Sequence, residues 1–372
     1  MLFLGGKYMN EEKVIALLEN IGLSRQDSEK IIDKFINNHK YKLDTLYNKI
    51  EELNNYLLSF GYKKNNISSI ITRFYLILSY NINNLSNRIN YLIKIGYSKQ
   101  DIIRMTTFSP ALFTKSINDI EEKIGYFEHL GYSRDEVITM SKKAPTILNH
   151  SNEYFLKKIY FFMNLGMNYS DAIKSIKKTP SLTIFTEEAL NDKVNNLINY
   201  GFKKETITEM VKTNSSILGY SKESIIEKFE NIIKLGFTKE EVISMYSNFK
   251  TMYTITTSTI KEKINVLKDL GYNDEEIKKI MISYPAIVSI SNNSIIEKVN
   301  YYKTLGLRNI ININPKNLIQ GIELSKARYH YLMTHNCNIS INNHRKLFLG
   351  EKQFVKQYNK TNKEIIDEYN KI

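Results

Sequence analysis

Apolar and polar residues alternate along most of the chain with the period of an amphipathic helix, and a glycine interrupts this pattern every 35 residues. The interruption is clearest at residues 130–137, LGYSRDEV. Gly131 suits the left-handed position just past a helix C-terminus, where Tyr132 can make an apolar contact back to Phe127. Ser133 and Glu136 have the spacing of a capping box. We therefore predict that one helix ends and the next begins at each such joint.

Eight joint glycines follow one another at this spacing without an insertion, and Gly22 stands at a looser copy of the joint. A fixed period of this length is typical of stacked repeats, each of which presents the same surface to its neighbour. The sequence predicts an all-α helical-repeat solenoid, a superhelix built from two-helix units. The eight glycines are Gly61, Gly96, Gly131, Gly166, Gly201, Gly236, Gly271 and Gly306.

Each unit divides into a first and a second helix. Proline stands 14 residues after the glycine in four units, at Pro110, Pro145, Pro180 and Pro285. Proline cannot donate its backbone hydrogen bond and therefore ends the first helix, and the short apolar step after it predicts a single helical turn. Where Ser215 and Lys250 replace the proline, we expect a less sharp end.

The second helix begins at a hydroxyl residue and carries one apolar stripe. The hydroxyl residue lies 20 positions after the glycine, where its side chain can cap the helix. Apolar residues at i, i+4, i+7 and i+10 form the stripe that packs in a solenoid, as in the set Ile120, Ile124, Phe127 and Leu130. The hydroxyl positions are Ser116, Ser151, Thr186, Ser221, Thr256 and Ser291.

The pattern divides the chain into three parts. Residues 10–60 are predicted to be degenerate N-terminal helical repeats, as expected of a terminal repeat whose outer face meets water. Residues 61–306 form seven regular repeats. Residues 307–372, where the period fails, are predicted to be a basic C-terminal cap.

Composition narrows the class of partner. The 372 residues carry a net charge of +13, and this basic balance favours polyanions such as nucleic acid or an anionic membrane. The single cysteine, Cys337, allows no internal disulfide, and no apolar run reaches the length of a membrane span. Residues 1–8 lack the pattern of a transit or signal peptide, and Met9 is a candidate start. We therefore predict a cytoplasmic protein.

The complete unit, read over residues 130–166, resembles the repeat of the mitochondrial transcription termination factor (mTERF) family. The shared features are Leu-Gly-Tyr-Ser-x-x-Glu-Val, Pro-x-Ile-Leu, a hydroxyl residue and the closing Leu-Gly. Pentatricopeptide repeats have the same length but lack the Pro-x-[Ile/Leu] step. The resemblance extends to the C-terminal segment, where Arg328 and residues 348–354 are similar to the family's closing elements.

This resemblance implies a left-handed superhelix of two helices and a short 3₁₀ turn per repeat, with a positively charged groove for nucleic acid. Members of the family act in organellar transcription, its termination and ribosome assembly. Because residues 1–8 do not resemble a transit peptide, we expect a bacterial or other non-organellar member.

The most regular polar feature is a basic residue 27 positions after each joint glycine, at the edge of the second helix's apolar stripe. In stacked repeats these residues would form a ladder that a phosphate backbone could meet. An equally open alternative is that they run beside the stripe and pair with capping carboxylates of a neighbouring helix, such as Asp101 or Glu136. We call this set the basic column: Arg88, Lys123, Lys158, Lys193, Lys228, Lys263 and Lys298.

Few other residues suggest chemistry. Arg328 lies outside the packing pattern of the repeats and is a further candidate for nucleic-acid contact. Lysines at the end of first helices, such as Lys142 and Lys177, are assigned to the negative end of the helix dipole. The histidines and cysteine at 330, 335, 337 and 344 do not have a zinc-ligand spacing. No phosphate-binding loop or catalytic motif is present. We predict no metal, no cofactor and no enzymatic activity.

The functional prediction is a monomeric protein that binds nucleic acid through a basic groove. Double-stranded DNA is the favoured ligand and structured RNA remains open, with a role in transcription regulation or termination, or in RNA and ribosome biology. The alternative is a protein-interaction scaffold, a common use of helical solenoids. A membrane surface ranks last, because repeat packing uses the apolar faces that a lipid would need.

Overall fold

A computed structural model describes residues 10–38 and 42–372, so the predictions made for residues 1–8 and Met9 lie outside it. Within the described residues the chain forms 21 α-helices and no β-strand. The architecture is the predicted all-α helical-repeat solenoid. The chain divides into two compact units, which we describe separately: unit 1 ends at Glu187 and unit 2 begins at Glu188.

The seven regular repeats each contain a first and a second helix. The first helices are α4 (Lys64–Arg73), α6 (Lys99–Phe108), α8 (Arg134–Lys143), α10 (Tyr169–Lys178), α12 (Lys204–Thr213), α14 (Lys239–Asn248) and α16 (Asp274–Ser283). The second helices are α5 (Ile82–Lys94), α7 (Ile117–His129), α9 (Asn152–Asn164), α11 (Glu187–Tyr200), α13 (Lys222–Ile233), α15 (Thr257–Asp269) and α17 (Asn292–Thr304).

Shorter or less regular helices stand before and after these repeats. The N-terminal ones are α1 (Glu11–Ile21), α2 (Arg25–Asp33), a π-helical segment Lys34–Asn38 and α3 (Leu43–Phe60). The C-terminal ones are α18 (Ile310–Ile313), α19 (Ile322–Thr334), α20 (Glu351–Tyr358) and α21 (Asn362–Tyr369). No helix in the described ranges combines the length and the apolar character needed to cross a membrane.

The joint has the predicted geometry. Gly131 has a φ of +98°, and the amide of Tyr132 donates to the carbonyl of Phe127 at 3.1 Å, as in a Schellman helix end. The rings of Phe127 and Tyr132 then meet edge to face, with centroids 6.0 Å apart. Ser133 and Glu136 cap the following helix reciprocally, through bonds of 3.3 Å and 2.9 Å. The sequence prediction of a helix end, a turn and a capping box is confirmed here.

A 3₁₀ turn connects the two helices of each repeat. The turns are Tyr75–Ser79, Pro110–Thr114, Pro145–Leu148, Pro180–Ile184, Ser215–Gly219, Met252–Thr254 and Pro285–Ser289. The expectation of a less sharp helix end without proline is wrong at Ser215, since α12 ends at Thr213 and is as long as its neighbours. There the Asn214 side chain accepts the amide of Ser216 and fixes the bend. In the repeat with Lys250, the 3₁₀ turn is only three residues long, Met252–Thr254.

Hydroxyl caps begin most second helices as predicted. In each case the side-chain oxygen accepts the amide three residues on, and the helix buries its apolar stripe, for example Ile120, Ile124 and Phe127. This geometry is present at Ser116, Ser151, Ser221, Thr256 and Ser291.

The tyrosine after a joint glycine bonds to the next repeat. Tyr62 and Tyr97 are buried, and their hydroxyl oxygens lie 2.6 Å and 2.5 Å from the hydroxyls of Thr106 and Ser141, each 44 residues further on. A buried hydroxyl needs a partner, so the tyrosine and its hydroxyl residue act as a pair. The tyrosines therefore belong to the packing between repeats.

The loss of period after Gly306 has a simple cause. Pro315 follows its glycine by 9 residues instead of 14, and α18 keeps only four residues. The turn Pro315–Ile319 and helix α19 then follow in the usual order. Residues 307–334, within the segment that we predicted to be a cap, thus form a shortened repeat.

Candidate nucleic-acid interface

Three lysines of the basic column each donate to a backbone carbonyl of the following repeat, and the three carbonyls occupy equivalent positions. The Nζ atoms of Lys123 and Lys193 lie 2.6 Å and 2.7 Å from the carbonyl oxygens of His150 and Tyr220, each 27 residues later. Lys263 makes the same bond to Ile290. These carbonyls come just before a second helix, and the side-chain oxygens of Asn152 and Asn292 add a bond to Lys123 and Lys263. Each lysine therefore joins two successive repeats.

Two further members of the column use a carbonyl within or near the 3₁₀ turn. Arg88 donates to the carbonyl of Phe113, 25 residues later. Lys298 donates to the carbonyl of Leu318 at 2.6 Å, only 20 residues later. The difference of five residues equals the deletion between Gly306 and Pro315. The same bond is therefore preserved in the shortened repeat.

The remaining two members lie over tyrosine rings. Lys158 Nζ is 4.3 Å from the ring centroid of Tyr154, and Lys228 Nζ is 5.5 Å from that of Tyr220. A cation over an aromatic face is attracted by the ring's negative centre. Lys158 has only 2% of its surface exposed.

Burial affects the acid–base properties of the column. Lys123, Lys158, Lys263 and Lys298 are buried, whereas the other three members are half-buried. Burial, followed by the charge of Lys115, lowers the pKa of Lys123 to about 8. Burial also lowers the pKa values of Lys193, Lys263 and Lys298. Most of the column is thus packed between repeats and has little surface with which to meet a phosphate.

Arg328, the remaining predicted contact, is 1% exposed and lies at the centre of the C-terminal segment. Its guanidinium donates to the carbonyls of Leu347 and Leu349 at 3.1 Å and 2.6 Å and to the Asn362 side chain at 2.6 Å. Burial, opposed by Glu351, lowers the pKa of Arg328 to about 10. These bonds connect α19 to residues 347–362.

The structure thus gives all eight predicted site residues packing contacts, and their binding to phosphate stays a prediction. The partners differ from the alternative that we considered, because the column bonds to carbonyls and rings. Two of the capping carboxylates are instead paired with lysines at the ends of first helices. Lys142 lies 3.2 Å from Asp101, and Lys177 pairs with Glu136. Those two lysines therefore reach the preceding repeat, a role that the helix-dipole prediction did not include.

A basic surface that sequence reasoning missed lies on the first helices of unit 1. Helices α4, α6, α8 and α10 together contain ten basic and four acidic residues, a net charge of +6. The second helices α5, α7 and α9 contain five of each, a net charge of zero. Positive charge in unit 1 is therefore concentrated on one of its two helix layers. We call α4, α6, α8 and α10 the basic layer.

Neighbouring helices of the basic layer contact one another through their own cations. Arg73 at the end of α4 donates to the carbonyls of Thr107 and Phe108 at the end of α6, at 3.4 Å and 3.3 Å. Arg104 of α6 donates to the carbonyl of Lys142 at 3.0 Å. These bonds use one nitrogen of each guanidinium, which carries five N–H donors in all. The side chains of Lys63, Lys99, Lys143 and Lys174 are exposed on the same helices or, for Lys63, directly before α4.

An open groove of about 580 Å³ runs between α4 and α6. Lys63, Arg73 and Arg104 line it together with the amides of Asn66 and Gln100, and no carboxylate is among its lining residues. Phe108, which is 54% exposed, also lines the groove. Three cations, two amides and a half-exposed aromatic ring are thus collected in one place.

No group of three or more His, Cys, Asp or Glu side chains suited to a metal ion occurs in the part of the chain that the structure describes.

The mTERF family model matches residues 2–168, 150–256 and 246–335 of this chain. The chain belongs to the mTERF family. A search of curated proteins found no match.

Members of the mTERF family generally bind nucleic acid and act in processes related to transcription termination. The match ends at residue 335 and so includes the shortened repeat.

The signal for the basic layer was present in the sequence, since α4 contains no acidic residue and α10 has three lysines against one aspartate. Counting charge separately for first and second helices would have found it.

Proposed function

We propose that this mTERF protein binds double-stranded DNA or structured RNA through phosphate contacts on the basic layer of unit 1, with double-stranded DNA favoured. The observation that carries the proposal is the separation of charge in unit 1, with a net +6 on its first helices and zero on its second helices. A surface of one sign attracts a polyanion, and lysine and arginine contacts to phosphate are tolerant of sequence.

The basic layer suits this task better than the basic column because its cations are accessible. Lys63, Lys143 and Lys174 are exposed, and Arg104 keeps 63% of its side chain exposed while bonded to Asp101. The column, in contrast, is mostly buried between repeats. In this proposal the column keeps adjacent repeats in register and the basic layer meets the phosphates.

For the biological setting we propose transcription regulation or termination, or RNA and ribosome biology, and membership of the mTERF family supports this proposal. We further propose that the protein acts as a monomer in the cytoplasm and has no enzymatic activity of its own. A protein-interaction scaffold is the competing function, and it predicts no salt-sensitive binding to nucleic acid.

The proposal is tested by measuring the affinity of the purified chain for a short DNA duplex and an RNA duplex at several salt concentrations. Each phosphate neutralised contributes about −0.9 to the slope of log affinity against log salt for a B-DNA duplex. We expect a slope of several units, similar for unrelated duplex sequences. Binding that is absent or does not change with salt would contradict the proposal and favour the scaffold.

A further inference from the structure

The groove between α4 and α6 combines two kinds of side chain that a simple phosphate-binding surface does not need. Arg73, Arg104 and Lys63 provide positive charge, and Phe108 provides an exposed aromatic face beside them. Apolar residues of the repeats are otherwise used largely in packing, as the buried partners Ile70 and Met105 on the same two helices illustrate. More than half of the surface of Phe108, at the end of α6, is left outside that packing.

Resting on the proposed function, we infer that this groove holds an unpaired nucleotide, so that the protein binds single-stranded nucleic acid there in addition to a duplex. The cations meet the phosphate, and the base stacks on the Phe108 ring. Stacking of bases on aromatic side chains next to a positively charged track is the usual mode of single-strand binding. The inference names a ligand class that contact with a duplex backbone alone would not require.

The preference for an unpaired base follows from geometry. Within a duplex both faces of a base are covered by its neighbours in the stack, and only a base that leaves the stack or ends it can lie against Phe108. The side-chain amides of Asn66 and Gln100 line the same groove and, in this inference, bond the edge of that base. Asn66 already accepts the amide of Lys63 at 3.0 Å through its oxygen, and its NH₂ group can donate to a base acceptor.

The two arginines remain able to bind phosphate while they hold the groove together. Arg73 uses Nη1 for the carbonyls of Thr107 and Phe108, and Arg104 uses Nη2 for Asp101 and the carbonyl of Lys142. Each guanidinium has further N–H donors. Because Arg73 bonds to the backbone at Phe108, it also fixes the position of the residue that carries the ring.

The experiment compares three ligands: a short single strand, a duplex of the same sequence, and that duplex with a single-stranded overhang. Affinities are measured for the full chain, for Phe108→Ala and for Phe108→Tyr. Because loss of the aromatic ring removes the stacking contact, Phe108→Ala should weaken single-strand and overhang binding by about tenfold. Duplex binding should stay within about twofold, and Phe108→Tyr should retain single-strand binding.

Tyr160→Ala is the matched control, because Tyr160 is 55% exposed but lies on the second helix α9. It should change no affinity. If Phe108→Ala leaves single-strand binding unchanged, or weakens single-strand and duplex binding alike, the inference is overturned while duplex binding by the parent still supports the proposed function. If the parent binds none of the three ligands in a salt-dependent way, the proposed function and this inference both fail.

Discussion

The ammonium group of Lys123 lies 2.6 Å from the backbone carbonyl oxygen of His150, in the following repeat. The carbonyl belongs to the residue before the Ser151 cap, so it is placed where the 3₁₀ turn has ended and the second helix has not begun. Such a carbonyl has no partner within its own turn or helix. The lysine supplies that partner, and Lys193 and Lys263 do the same for the carbonyls of Tyr220 and Ile290.

Replacing Lys123 by Met should destabilise the protein. The substitution keeps much of the apolar stem but removes both bonds of the ammonium, to His150 and Asn152. Bonds from a charged donor are worth about 1.5–3 kcal/mol each, so we expect a loss of about 2 kcal/mol in the free energy of unfolding. Urea denaturation measures it. Lys157→Met, at an exposed site on the next second helix, α9, is the control, and equal midpoints for the two variants would refute the structural role.

The same lysine should give stability a defined pH dependence. Because burial lowers the pKa of Lys123 from 10.5 to about 8, the unfolded chain binds more protons at this site between those two values. The group's contribution to stability therefore rises with pH across that interval and is constant below it. We expect the stability of the parent relative to Lys123→Met to increase from about pH 8 to about pH 10. A difference that is constant or falls over this range would show that the pKa is not lowered.

Gly201 should not tolerate a side chain. Its φ is +123°, and a Cβ atom there would lie 2.9 Å from Cδ1 of Ile243 in the next repeat. The left-handed conformation alone costs about 1–2 kcal/mol for an L-residue, so Gly201→Ala should destabilise by at least that amount. Gly125→Ala offers a control of opposite sign, since Gly125 lies inside α7 with open space around it. That change should stabilise by about 0.5–1 kcal/mol, and thermal unfolding compares the two.

Arg328→Met should loosen the C-terminal segment. The change removes the bonds that the guanidinium donates to the carbonyls of Leu347 and Leu349 and to the Asn362 side chain. Since each bond to a charged group is worth about 1.5–3 kcal/mol, we expect a loss of at least about 2 kcal/mol. Amide hydrogen exchange should accelerate first in α20 and α21. Arg345→Met, at an exposed position, should leave exchange unchanged, and equal protection in both variants would contradict a central role for Arg328.

Local sequence predicted the joints well because their determinants are local. The φ preference of Gly131, the reciprocal caps of Ser133 and Glu136, and the Phe127–Tyr132 contact all act within ten residues. Even the exception at Ser215 has a local cause, since Asn214 takes over from proline.

The orientation of the basic column could not be obtained in that way. The sequence places Lys123 at the edge of a helix stripe, but its partner is a main-chain oxygen 27 residues away, and any residue type at position 150 would supply it. Because every residue has a backbone carbonyl, the sequence does not show which one accepts the bond. The basic layer was missed for another reason, because a net charge summed over the chain does not show which helices carry it.

The most direct test of the account is the salt dependence of duplex binding after three exposed lysines are replaced, two within the basic layer and one directly before α4. We expect the variant Lys63→Gln, Lys143→Gln, Lys174→Gln to reduce the slope of log affinity against log salt by about three units, with folding intact. The control variant removes the same charge from exposed second-helix positions, through Lys94→Gln, Lys261→Gln and Lys303→Gln, and should keep the parent's slope. Equal slopes for both variants, or a larger loss in the control, would contradict the assignment of phosphate binding to the first helices of unit 1.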